Sequence, residues 1–145
     1  MKSALIFLCV CVASIGCEDK DRSRTKTQAK KTKAIEGTWI AVAVIDRGVP
    51  ERNPTELKLI IEGDDFTYDI GGNAFLSKYT IDPNKDPKEM DVFFKQGPAK
   101  GKTMLAIYSL EGDKLKICGG DDRPVDFVST TQSKTILFEY RRKKP

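Results

Sequence analysis

Histidine is absent from this chain. The commonest general base, the commonest metal ligand and the usual physiological pH switch are missing with it. Ser–His and Cys–His nucleophile pairs are excluded, and zinc sites are disfavoured. Tryptophan occurs once, at Trp39. No apolar run reaches the ~20 residues a membrane-spanning helix needs. The longest runs only from Ala4 to Ile15. No convincing amphipathic helix is present either, because apolar residues recur with a period of two and not 3.6. No pair of carboxylates has the look of a general acid and base. These absences argue against an enzyme and against a transmembrane helix.

Basic charge is scarce where a nucleic-acid binder would need it. The formal net charge is +4, but the segment 18–35 and the tail Arg141–Lys144 carry the excess. Residues 36–140 hold thirteen Lys/Arg against eighteen Asp/Glu. The folded body is therefore acidic, and a nucleic-acid interface requires a basic face on the fold itself.

The N-terminus has the layout of an export signal. Lys2 supplies a positive start, the run Ala4–Ile15 has signal-peptide length, and small residues close it. The ending Ala13-Ser14-Ile15-Gly16-Cys17 resembles the lipobox of bacterial lipoproteins, which implies a signal peptide at 1–16 and lipid attachment at Cys17. The same bond also suits ordinary signal peptidase, with Ser14 and Gly16 at the two critical positions. Cys9 and Cys11 leave with the leader. With Cys17 acylated, Cys118 stands alone; with Cys17 free, a Cys17–Cys118 bridge would staple a tail to a strand. From Glu18 to Lys33 the chain is polar and charged without periodicity, the composition of a disordered tether. The expected organisation is a signal peptide at 1–16, a lipidated Cys17 with its tether over 17–34, a domain over 35–142 and a basic tail at 143–145.

Within the domain, short blocks of alternating residues separated by Gly, Asp, Asn and Pro predict antiparallel strands. The first runs from about Thr38 to Asp46, followed by a turn at Arg47-Gly48-Val49-Pro50. Leu57, Leu59 and Ile61 share one face of the second, and Phe66, Tyr68 and Ile70 one face of the third, across the hairpin signal Gly63-Asp64-Asp65. Ser77, Tyr79 and Ile81 mark a fourth, and Met90, Val92 and Phe94 a fifth. Thr103–Leu110 and Lys114–Cys118 give two more. Gly119–Pro124 reads as an acidic loop, Val125–Val128 as a short strand or helical turn, and Thr135–Arg141 as the last strand. About eight strands predict an all-β, up-and-down antiparallel barrel or a sandwich. A barrel removes exposed edges and encloses either packed side chains or one small ligand.

Gly37-Thr38-Trp39 looks like the Gly-x-Trp motif of lipocalin-type barrels, in which a last-strand arginine covers the tryptophan at the closed end. Arg141 or Arg142 is placed to supply that contact, with Arg141 the first choice. Further strings are Tyr79-Thr80-Ile81-Asp82-Pro83, Pro87–Asp91, Gly97–Thr103, Ile107–Asp113 and Leu115–Cys118. Together they resemble an uncharacterised lipocalin-like domain of exported planctomycete proteins, over residues 35–142. That resemblance implies a fold and an exported location, with no catalytic residue and no cofactor.

Two motif lookalikes fail on context. Gly97–Thr103 is one residue short of a phosphate-binding loop and joins antiparallel strands, where that loop needs a parallel strand and a helix. Asp121, Asp122 and Asp126 offer oxygens at no calcium-loop spacing. No metal site is expected. Tyr68, Ser77 and Tyr79 face inward by pattern and, with Tyr108, are the candidates for orienting a ligand; alternatively they hydrogen-bond within a filled core. Two roles follow as expectations: a membrane-tethered barrel for a small apolar or amphipathic molecule, or an envelope interaction module with a solid interior.

Overall fold

The structure, a computed structural model, describes residues 33–145. The signal peptide, Cys17 and the tether as far as residue 32 lie outside the described residues.

Nine strands form one antiparallel sheet: β1 Gly37–Asp46, β2 Val49–Pro50, β3 Leu57–Glu62, β4 Asp65–Ile70, β5 Asn73–Asp82, β6 Lys88–Phe94, β7 Thr103–Glu111, β8 Lys114–Gly120 and β9 Ile136–Arg142. Each strand from β3 to β9 pairs with the next, β1 pairs with β3, and β9 returns to β1. Eight strands thus close an up-and-down barrel, and β2 is an extra two-residue strand against the end of β1. Pairing of β9 with β1 closes the sheet, so no long edge is left to template aggregation.

Alternation decides the interior. Leu59 and Ile61, Phe66, Ser77 and Tyr79, Met90 and Val92, Ala106 and Tyr108, Leu115 and Ile117, and Tyr140 are all buried at period-two positions. A β-bulge between Ala41 and Ala43 shifts the β1–β9 register, so Trp39, Ala41 and then Val44 face inward.

Three local readings are corrected. Val49–Pro50 is a short strand where a plain turn was expected, and Pro54–Glu56 forms a 3₁₀ turn that opens with proline at its first position. Gly119 and Gly120 extend β8, and Val125–Val128 is neither strand nor helix. Instead the connection after β8 folds back over the outer wall. Ile107, Cys118 and Leu137 point outward from β7, β8 and β9 yet are buried, with Phe127 of that connection against them. Arg123 holds the connection down. Its Nη1 donates to the Ala106 carbonyl at 2.6 Å and its Nη2 to Asp91 Oδ1 at 2.5 Å, with Glu89 3.7 Å from Nε.

Buried phenols give the fold a pH signature. Burial, reinforced by nearby carboxylates, pushes Tyr79 and Tyr108 up to about 12, and burial alone holds Tyr140 still higher. The unfolded chain releases these protons near pH 10. Above that pH the unfolded state therefore binds fewer protons than the folded one, and stability falls as pH rises from about 10 to 12; below 10 these groups contribute no slope. Tyrosinate absorbance should show Tyr68, the least buried of the four, ionising first. The other three are expected to ionise together with loss of the sheet signal. Four phenols titrating independently near pH 10 in a folded barrel would contradict this burial.

Candidate functional site: a sealed end and an open cavity

One end of the barrel is sealed by residues that precede and follow it in sequence. Trp39, fully buried, donates its indole N–H to the Ile35 carbonyl at 2.9 Å. The Arg142 guanidinium lies over the indole ring, 4.1 Å from its centroid. Arg142 Nη1 donates to the Glu36 carbonyl at 2.5 Å and Nη2 to the Ala34 carbonyl at 2.8 Å, while Asp113 lies 3.4 Å from Nε. Three successive carbonyls before β1 are thus bound by the tryptophan and the arginine, and Ile35 is buried beside them. Gly37 is required here. With φ +131°, an added Cβ would fall 2.7 Å from Arg142 Nη1.

The arginine over Trp39 is Arg142, and the choice of Arg141 is corrected. Trp39 pairs with Arg142 and Ile40 with Arg141, so Arg141 faces outward and is exposed. The alternation that puts Phe138 and Tyr140 inward continues directly to Arg142.

The opposite end is open. A cavity of about 290 Å³ lies there, bounded at its mouth by Leu57, Ile70, Pro98, Ala99, Met104 and Ile136. Deeper in, Tyr68, Phe94, Ile117 and Phe138 form its sides, and Phe66 and Tyr140 its floor. Below that level Trp39, Leu59, Ile61, Met90 and Leu115 fill the barrel. Among the described residues, no Lys, Arg, Asp or Glu lines the cavity. The β6–β7 connection reaches over the mouth. Gly97, at φ +80°, brings it so close that an added Cβ would meet the Tyr68 hydroxyl at 2.6 Å. Tyr68 in turn donates to the Gln96 carbonyl at 3.4 Å, and its rings with Phe75 and Phe94 lie 5.2 and 5.7 Å apart.

Of the four polar residues expected in a pocket, Tyr68 lines the cavity. Ser77, Tyr79 and Tyr108 face inward but are not part of its wall. The Ser77 and Tyr79 hydroxyls are buried without a hydrogen-bond partner among the described residues. Tyr140 was not singled out as a pocket residue, although its inward position on the last strand was legible. The apolar mouth, Pro98 and Ala99 especially, carried no signal, because a Gly-Pro-Ala-Lys-Gly turn reads as an ordinary loop. The lookalike sequence Gly97–Thr103 spans this loop and enters β7, with no helix following it.

The fold defines a closed eight-stranded antiparallel β-barrel with one sealed and one open end, compatible with lipocalin-like architecture. No family model, no curated protein and no solved structure matches the chain.

Proposed function

We propose that this protein is an exported, membrane-tethered barrel that binds one small apolar or amphipathic molecule in the cavity opposite Trp39. The observation that carries the reading is the cavity itself: about 290 Å³, apolar in its wall and open at one end only. Ligand sites of this kind begin near ~300 Å³, and an apolar cavity of ~150 Å³ already holds benzene. The leader and Cys17 supply the tether in this reading, and the resemblance to exported lipocalin-like domains agrees with it.

Native mass spectrometry on protein purified gently from a bacterial host tests this directly. The expected spectrum contains a bound species that disappears on denaturation. Ala99→Trp, which puts a large side chain at the partly exposed mouth, should remove that species and leave the melting temperature within a few degrees of the parent. A bare mass in the parent, unchanged by an added panel of alkanes, alcohols and fatty acids, would defeat the reading.

A further inference from the structure

The cavity holds one chain and faces uncharged hydroxyls. Its wall follows β4 from Phe66 to Ile70. Four residue steps span about 13 Å along a strand, or about 10 Å of depth at the tilt usual for eight-stranded barrels. Spread over that depth, the volume leaves a mean cross-section of about 30 Å², the width of a single hydrocarbon chain or a single ring.

At the floor stands Tyr140. Its residue is almost wholly buried and forms part of the cavity wall. Facing it across the barrel is β5, four strands away around the closed sheet. There Ser77 pairs in register with Phe66 on one side and Phe94 on the other, both of them cavity wall. Ser77 is fully buried, its Oγ has no partner, and those two rings separate it from the cavity. Ser77 therefore lies out of reach of a molecule in the cavity, and Tyr140 is the floor group that can meet one.

We infer that the ligand is a neutral single-chain amphiphile, of about ten carbons with one uncharged hydrogen-bonding end, bound with that end at the floor against Tyr140. The inference rests on the ligand-binding reading above and adds the chemical class and the direction of entry. Charge is excluded at the floor on two grounds. Among the described residues no cationic or anionic side chain lines the wall, so a carboxylate or an ammonium would be buried unpaired. The floor phenol also stays protonated at physiological pH, which lets it donate to a neutral oxygen and accept from a hydroxyl.

The test measures binding of decan-1-ol, n-decane and decanoate to the full chain and to two variants, Tyr140→Phe and Ser77→Ala, at pH 8. Tyr140→Phe keeps the ring and Ser77→Ala removes one oxygen, and thermal melts establish that both remain folded. Decan-1-ol is expected to bind at least tenfold more tightly than decanoate. Loss of one hydrogen bond should weaken decan-1-ol about fivefold in Tyr140→Phe and leave n-decane unchanged, while Ser77→Ala, outside the cavity wall, changes neither. Weakening of decan-1-ol in Tyr140→Phe alone supports the assignment. Decan-1-ol affinity unchanged in Tyr140→Phe, equal weakening in both variants, or decanoate bound most tightly overturns it and leaves the cavity as a purely apolar or mouth-anchored site. Failure of all three probes to bind the parent chain overturns the ligand-binding reading itself.

Discussion

Trp39→Ala is expected to bring the barrel to the edge of unfolding, with the melting temperature lowered by about 20 °C or more. Removing a fully buried tryptophan costs ~3–5 kcal/mol in lost transfer and cavity formation. The indole N–H bond to Ile35 and the guanidinium stacked on the ring add about 1 kcal/mol each. Against a domain stability of ~5–15 kcal/mol, that sum removes a large fraction of the whole. The two arginines of β9 separate cleanly in the same experiment. Arg142→Ala strips two carbonyls of their donor, uncovers the ring and leaves Asp113 with Lys144 alone, and should cost about 2–3 kcal/mol. Arg141→Ala, an outward surface change, should stay within about 0.5 kcal/mol. Thermal melts followed by circular dichroism read all three. Equal losses for Arg141→Ala and Arg142→Ala would contradict the register that places only Arg142 at the sealed end.

The sealed end also shows how far sequence reasoning reaches in an up-and-down barrel. Period-two alternation is strong wherever one face meets a core and the other meets water, which is why the inward sets of β3, β4, β5, β6 and β9 were legible residue by residue. The same alternation, continued by two positions, points to Arg142 and excludes Arg141. The outer wall was harder to read. Leu105-Ala106-Ile107-Tyr108 and Ile117-Cys118 are unbroken apolar runs, and such runs signal strands covered on both faces. The cover is the irregular connection between β8 and β9, whose sequence has no period and whose decisive group, Arg123, is indistinguishable in sequence from any loop arginine. The cavity was hidden for a related reason. It arises from how large side chains on eight strands leave space around the barrel axis, a property of the closed barrel that no single strand reports.

The connection that covers the outer wall makes the remaining large effect. In a chain begun at Lys33, Cys118 is the only cysteine, so thiol labelling reads one site. Cys118 is fully buried under that connection, its Sγ 3.7 Å from the Val128 carbonyl, and burial pushes its thiol above the ordinary range despite an opposing hydrogen bond with Thr135. Labelling of the folded protein should therefore proceed only when the connection lifts off β7, β8 and β9. Arg123 opposes that opening through the Ala106 carbonyl and Asp91, in a partly exposed setting where solvent screening leaves about 2 kcal/mol. Arg123→Ala should then raise the labelling rate about thirtyfold, since labelling follows the population of the open form when reclosing is fast. Arg123→Lys should fall between, because lysine keeps the charge and loses the fork that reaches a carbonyl and a carboxylate together. Phe127→Ala should act in the same direction by removing the side chain packed on Ile107 and Leu137. In each variant the sealed end and the barrel core are untouched, so Trp39 emission and the inward sheet should keep their native signals while Cys118 becomes reactive. Labelling that remains at the parent rate in Arg123→Ala would mean that Arg123 does not hold the connection down. Labelling that rises together with loss of the Trp39 signal would mean that the outer layer is part of the barrel's cooperative unit and opens only with it.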